Sequence, residues 1–152
     1  MDTIQKQQHI GVYGLIEEGS DILVINKSRG PYKGLYDLPG GRPFHGESLM
    51  KALWREIKEE TGLDTRNYSF FGNYSFLTPY EDEGRKKELH HIALTYRVKD
   101  FEVDTHNPTI VDEDVSGSIW MNQRNLVKVN CSPLLWSIVE SYEYRVYNSN
   151  VS

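Results

Sequence analysis

Between Gly41 and Leu63 the chain reads GRPFHGESLMKALWREIKEETGL, and this stretch constrains the fold more than any other. Ser48 is a helix cap, the interior is rich in Leu, Met, Ala, Lys and Glu, and Gly62 is a stop, so a helix is predicted over 48–61. At about 100° per residue, Leu49, Met50, Leu53, Trp54 and Ile57 form one broad apolar arc. Lys51, Arg55 and Lys58 fall on the back. Glu56, Glu59 and Glu60 stand at i, i+3 and i+4 beside the apolar stripe.

Three carboxylates on adjacent turns repel one another, and they lie near the end of the helix where its dipole disfavours anions. A divalent cation reverses that penalty. Hard oxygen ligands on one rigid face suit Mg²⁺, which takes one or two carboxylates and completes its shell with water and substrate phosphate. The alternative is a plain solvated helix face.

Around this helix the chain alternates short apolar runs with turns. His9 to Ile16 and Ile22 to Ile25 read as strands joined through Glu17–Asp21, a hairpin. Lys27 to Lys33 is a loop, and Tyr36-Asp37-Leu38-Pro39-Gly40-Gly41 a short strand closed by breakers. Further strands are expected at Tyr68–Leu77, His91–Val98 and Ser118–Met121, with a charged turn at Glu81–Lys87 and a loop at Phe101–Asp114. Ser132-Pro133 opens a last helix running to about Arg145. Strands on both sides of a central helix, with a second helix at the end, imply an α/β fold: a mixed β-sheet covered on both faces, one domain over 1–152.

Composition narrows the function classes. The chain has 152 residues and a net charge of -5, which weighs against a nucleic-acid polymer held by its phosphates. A small phosphorylated substrate needs only a few local cations. The single cysteine, Cys131, excludes an intramolecular disulfide framework and reads as structural. Met1 to Ile10 carries no apolar run of signal-peptide type, and no stretch is long enough to span a bilayer. The expectation is a cytoplasmic protein with no membrane partner.

The segment also fits the pattern G-x5-E-x7-R-E-U-x-E-E-x-G-U, with U a bulky aliphatic, at Gly41, Glu47, Arg55, Glu56, Ile57, Glu59, Glu60, Gly62 and Leu63. A chance match is on the order of one in ten billion per start site at average residue usage, so coincidence is set aside. This is the Nudix box, and the chain resembles the small MutT-like Nudix hydrolases from about Gly11 to Met121. The resemblance implies a Nudix α/β/α sandwich. It implies metal-dependent hydrolysis, with Mg²⁺ or Mn²⁺, of a phosphoanhydride bond in a nucleoside diphosphate linked to a further group. By the same resemblance Glu59 and Glu60 are metal ligands, joined by the backbone carbonyl of Gly40. Glu56 is either general base or a further ligand. Arg55 orients a carboxylate, Glu47 ties the loop to the helix, and Gly41 and Gly62 are architectural. A further acid is implied six residues before Trp120, at Asp114, beside Asp112 and Glu113, where Asp replaces the usual Glu.

Substrate contacts are less constrained. Arg29, Lys33 and Arg42 flank the Leu-Pro-Gly-Gly segment and are candidates for phosphate contacts, or plain surface cations. Tyr36, Phe44, Tyr74 and Phe76 are candidates for stacking on a base, or core. His90 and His91 alternate along a strand and should point to opposite faces. Pro79 and Tyr80 resemble family markers for ADP-ribose pyrophosphatases and dinucleoside polyphosphate hydrolases respectively. Pro79 could fix a loop near the substrate and Tyr80 could stack on a base. The balance favours ADP-ribose or a relative, with dNTPs and dinucleoside polyphosphates as alternatives. Two other readings stay open: an inactive Nudix-fold module that senses a nucleotide or binds a protein, and a homodimer whose interface completes the pocket.

Overall fold

A computed structural model describes residues 3–103, 115–141 and 144. In chain order the elements are β1 (Gln5–Leu15), β2 (Glu17–Glu18), β3 (Asp21–Lys27), β4 (Tyr36–Asp37), β5 (Gly40–Gly41), α1 (Leu49–Thr61), β6 (Leu63–Asp82), β7 (Arg85–Val103), β8 (Val115–Asn122) and α2 (Pro133–Glu140).

The strands make two sheets. The first has the order β5-β1-β7-β6 and is mixed: β1 runs parallel to β7, from Gln5 opposite Lys87 to Leu15 opposite Arg97, and the other pairs are antiparallel. In the second, β3 pairs with β2 and β4 along one edge and with β8 along the other. Because side chains alternate along a strand, β1 serves two cores. Val12 and Ile16 pack with Ala52, Leu53 and Ile57 of α1, together with Leu23, Leu63 and Val98. Tyr13 and Leu15 pack with Leu134, Leu135 and Ile138 of α2, together with Ile22, Val24 and Ala93. Sheets between two helical layers are the expected α/β/α sandwich.

α1 has the expected ends. The Ser48 hydroxyl accepts from the Lys51 N–H at 3.2 Å, and Gly62 closes the helix at φ 78° with its N–H on the Lys58 carbonyl. That left-handed turn favours glycine. The expected apolar arc is narrower than drawn. Ala52, Leu53, Ile57 and Glu60 are buried, whereas Leu49 and Trp54 are exposed at its rims. Trp54 instead donates to Asp64 at 2.8 Å and carries Lys58 over its ring.

Four other expectations are corrected. The first hairpin shrinks to Glu17–Glu18 against Asp21–Ile22, because β1, buried from Gly11 to Leu15, pairs with β5 and β7 instead. The aromatic strand and its successor extend to 20 and 19 residues, joined by a two-residue turn at Glu83 and Gly84. Both turn residues have positive φ, which matches the right-handed twist of the long hairpin. α2 runs Pro133–Glu140 and breaks at Ser141, which is extended and whose hydroxyl accepts from the N–H of Tyr144, a residue that is again helical. Pro79 lies inside β6 and not in a loop.

A candidate active site on the central helix

The site begins where β5 meets α1. Gly40 and Gly41 lie antiparallel to Tyr13 and Val12, so the turn after Pro39 is pressed against β1. Gly40 has φ 150°, and a Cβ there would meet the Val12 carbonyl at 2.2 Å. A Cβ on Gly41 would lie 2.8 Å from the Glu56 carboxyl carbon. These two glycines are required by close approach.

The carboxylates then separate. Glu60 continues the buried stripe of α1, 6% exposed, and accepts from the Gly40 N–H at 2.7 Å. Glu56, one turn earlier, lies over Gly41. Glu56, Glu60, Gly40, Gly41, Arg42 and His9 line one cavity of about 340 Å³. Glu59 is turned away, more exposed, with its carboxylate 3.3 Å from Arg55.

Arg55, expected on the back of the helix, is the hub of the cluster. Its Nε and one terminal nitrogen take both oxygens of Glu47 at 2.8 and 2.9 Å. The other terminal nitrogen reaches Glu56 at 3.0 Å and Glu59 at 3.3 Å. The plane lies 3.8 Å from the Phe44 ring centre, and the Arg42 carbonyl accepts at 3.3 Å. The loop 42–47 folds under α1 and covers this side, which a helical projection of α1 alone does not contain. The Arg55 fork, then the Phe44 N–H, hold the Glu47 carboxyl down at about 2, and the same pairing raises Arg55. Glu47 thus links the Phe44 N–H of the loop to Arg55 of the helix, and Phe44 packs under Arg55.

Beside this cavity, and sharing His9 and Lys27 with it, opens a cleft of about 600 Å³. Arg29 and Lys33 line it, as does Tyr80, whose hydroxyl donates to Gln7 at 3.1 Å. Arg42 lines only the smaller cavity. Pro79, one residue before Tyr80, points to the opposite face of β6 and contributes to a shallow apolar hollow with Ile4. Pro79 is thus not among the residues that line the cleft. Tyr36, Tyr74 and Phe76 pack against the core beneath α2. Asp112, Glu113 and Asp114 lie outside the described residues.

The cleft floor holds groups that sequence reasoning left aside. His91, 2% exposed, bonds the Tyr13 hydroxyl through Nε2 at 2.7 Å and the Tyr32 hydroxyl through Nδ1 at 3.0 Å. Tyr32 also reaches Thr78 at 3.2 Å, so loop 27–35 is fixed to the sheet. His90 faces the other way and meets Gln8, as the alternation predicts. Asp37 is buried; its Oδ1 accepts from the Leu38 N–H and the Ser132 hydroxyl, and burial raises its carboxyl. Burial first, then His9 and Lys27, lower the His91 imidazole to about 4. The period-two pattern His9, Gly11, Tyr13 was visible in the sequence, but its pairing with His91 was not. Cys131 is buried, its thiol raised to about 11 chiefly by burial, consistent with a structural role.

The donor set suits a hard divalent ion. Two carboxylates converge on one cavity, one of them nearly buried, and carboxylate oxygens are the hard donors that such an ion takes. Among the described residues no three His, Cys, Asp or Glu side chains form a ready cage. No helix among the described residues is long and apolar enough to cross a membrane.

Comparison with known proteins agrees with this architecture. An "ADP-ribose pyrophosphatase" of Methanocaldococcus jannaschii is 46% identical over 66 residues, 43% of this chain and 39% of that protein. This chain thus spans well under half the length of that relative. The "Nucleoside triphosphatase NudI" of Escherichia coli is 29% identical over 123 residues, 79% of each chain. The crystal structure of a MutT protein from Methanosarcina mazei superposes with a TM-score of 0.64 at 22% identity, covering 99% of this chain and all of that one. It shares the fold. The family model described as the NUDIX domain matches residues 5–137, nearly the whole chain, and the chain belongs to that family.

Proposed function

We propose that the protein is a metal-dependent Nudix pyrophosphohydrolase, acting on a nucleoside diphosphate linked to a further group. One observation carries the reading: the cavity of Glu56 and Glu60 opens beside a cleft lined by Lys27, Arg29 and Lys33, the two sharing His9 and Lys27. An anionic ester repels an attacking water, so cations must face the phosphates. Glu56 and Glu60, with Gly40 beside them and Glu59 on the same helix, would hold Mg²⁺ or Mn²⁺. When bound, such an ion neutralises phosphate oxygens and eases deprotonation of the attacking water. Arg55 orients Glu56, and Glu56 serves as ligand or as proton acceptor. Asp114 is retained as a further acid. Residues 1–152 are read as one domain, acting in the cytoplasm on a small molecule.

Among substrates, ADP-ribose or a relative is favoured. The relative named for that activity supports it, over a short alignment. Glu81 and Asp82 line the cleft and weigh against a longer polyphosphate. The second reading, a dinucleoside polyphosphate, is supported by Tyr80, which does line the cleft. The test compares kcat/KM for ADP-ribose, diadenosine tetraphosphate and normal or oxidised dNTPs, with Mg²⁺ and with Mn²⁺. ADP-ribose should lead. A tenfold preference for another class overturns the substrate choice, and no cleavage of any overturns the hydrolase reading in favour of a binding module. Glu60→Gln should lower kcat by more than about a hundredfold, ~2.7 kcal/mol at the transition state.

A further inference from the structure

His9 Nε2 is buried with no hydrogen-bond partner among the described residues, and His9 lines both cavities. Buried polar atoms are rarely left unpaired without a reason. We propose that His9 positions the substrate by donating a hydrogen bond from Nε2 to a non-bridging phosphate oxygen of the bound diphosphate. The proposal rests on the hydrolase reading and assigns His9 a role no comparison gives it.

Four features of the surroundings support it. The ring is placed by strand pairing, since His9 sits directly opposite His91 on the parallel strands β1 and β7, with ring centres 5.2 Å apart. Next on the same face comes Gly11, where a Cβ would lie 2.5 Å from the Tyr13 hydroxyl. That gap lets the Tyr13 ring lie back along the strand and hold His91. His9 is thus backed by a fixed partner. Burial, then the charges of Arg42 and Lys27, lower its imidazole to about 4, so near pH 7 the ring is neutral and carries one N–H. Arg42 and Lys27 line the smaller cavity with His9, so a phosphate beside the ring meets two cations there. Glu56 and Glu60 line the smaller cavity as well, and their charge favours an anion placed toward the cleft, which His9 and Lys27 also line.

His9→Phe and His9→Gln separate this role from a structural one. Phe keeps a ring and removes an atom that has no partner, so melting should stay the same or rise. KM for the preferred nucleotide should increase about tenfold or more, with kcat within about twofold, as for loss of contact equal in ground and transition states. Gln carries an amide nitrogen at a similar reach and should recover most of the KM. Unchanged KM in His9→Phe, with wild-type turnover intact, overturns the proposal alone. Should His9→Phe fail to fold, ¹⁵N-histidine spectra of the wild type titrated with ADP decide. The His9 Nε2 resonance moves on saturation, and a stationary one with ADP bound overturns the assignment. A wild type that neither cleaves the nucleotides nor binds ADP removes the hydrolase reading, and this proposal with it.

Discussion

The Glu56 carboxylate occupies the space in which a side chain at Gly41 would begin: both oxygens lie within 3.0 Å of where a Cβ would stand. Backbone and carboxylate are therefore packed as one unit. Gly41→Ala should push Glu56 out of register while leaving α1 intact. Steady-state kinetics should show kcat reduced about tenfold or more, ~1.4 kcal/mol at the transition state. Circular dichroism should show an unchanged helix content. Wild-type kcat in this variant would mean that the carboxylate position is not limiting.

Arg55 joins Glu47, Glu56 and Glu59, and a lysine cannot do so. Its fork needs a planar guanidinium, and Phe44 stacks on that plane. Arg55→Lys should keep the charge yet lower both kcat and thermal stability, the latter by roughly 3–6 °C. Glu47→Gln, which leaves one acceptor oxygen, should fall between wild type and Arg55→Lys. A lysine variant with full activity would reduce Arg55 to a surface cation.

Mg²⁺ or Mn²⁺ should raise the melting temperature. Bringing Glu56 and Glu60 to one cavity costs less with a cation present, and an ion bound only by the native state stabilises by about 2.7 kcal/mol at a hundredfold excess over Kd. Differential scanning calorimetry with chelator against saturating metal measures this. Glu60→Gln should abolish most of the difference.

Stability should fall as the solution is acidified from pH 6.5 to 4, through His91. The unfolded imidazole takes its proton near 6.5 and the native one only near 4. In that window the unfolded state binds more protons, so unfolding becomes easier as pH drops, and the contribution is gone below 4. Tyr13, Tyr32, His9, Lys27 and Asp37 face the same space. Asp37, raised by burial, acts in the opposite sense. The His91 part is therefore isolated as a difference: urea unfolding across this range should give a shallower pH slope for His91→Phe than for wild type.

Much of α1 was legible in the sequence because its signals are local. Ser48, Gly62 and the 3.6-residue period act within a few turns, and the structure reproduces the helix within one residue. The Nudix box is likewise contiguous, so the family and the sandwich could be named before any coordinate. Alternation alone separated His90 from His91. The same rule separates Tyr80, which lines the cleft, from Pro79, which does not, and it could be applied only once β6 was seen to run past its aromatic stretch.

What the tertiary structure alone decided are the long-range pairings. The register of β1 on β7 sets His9 opposite His91, 82 residues apart in the chain, and no local preference specifies that partner. The folding of loop 42–47 beneath α1 turns Arg55 from an outward cation into the hub of three carboxylates. The sequence by itself determined the helix, its caps and its row of acids, because propensity and periodicity are short-range. The division of those acids, Glu56 and Glu60 to the cavity and Glu59 to Arg55, depends on packing against Gly40, Gly41 and the loop. That packing arises only when β5 is pressed between β1 and α1.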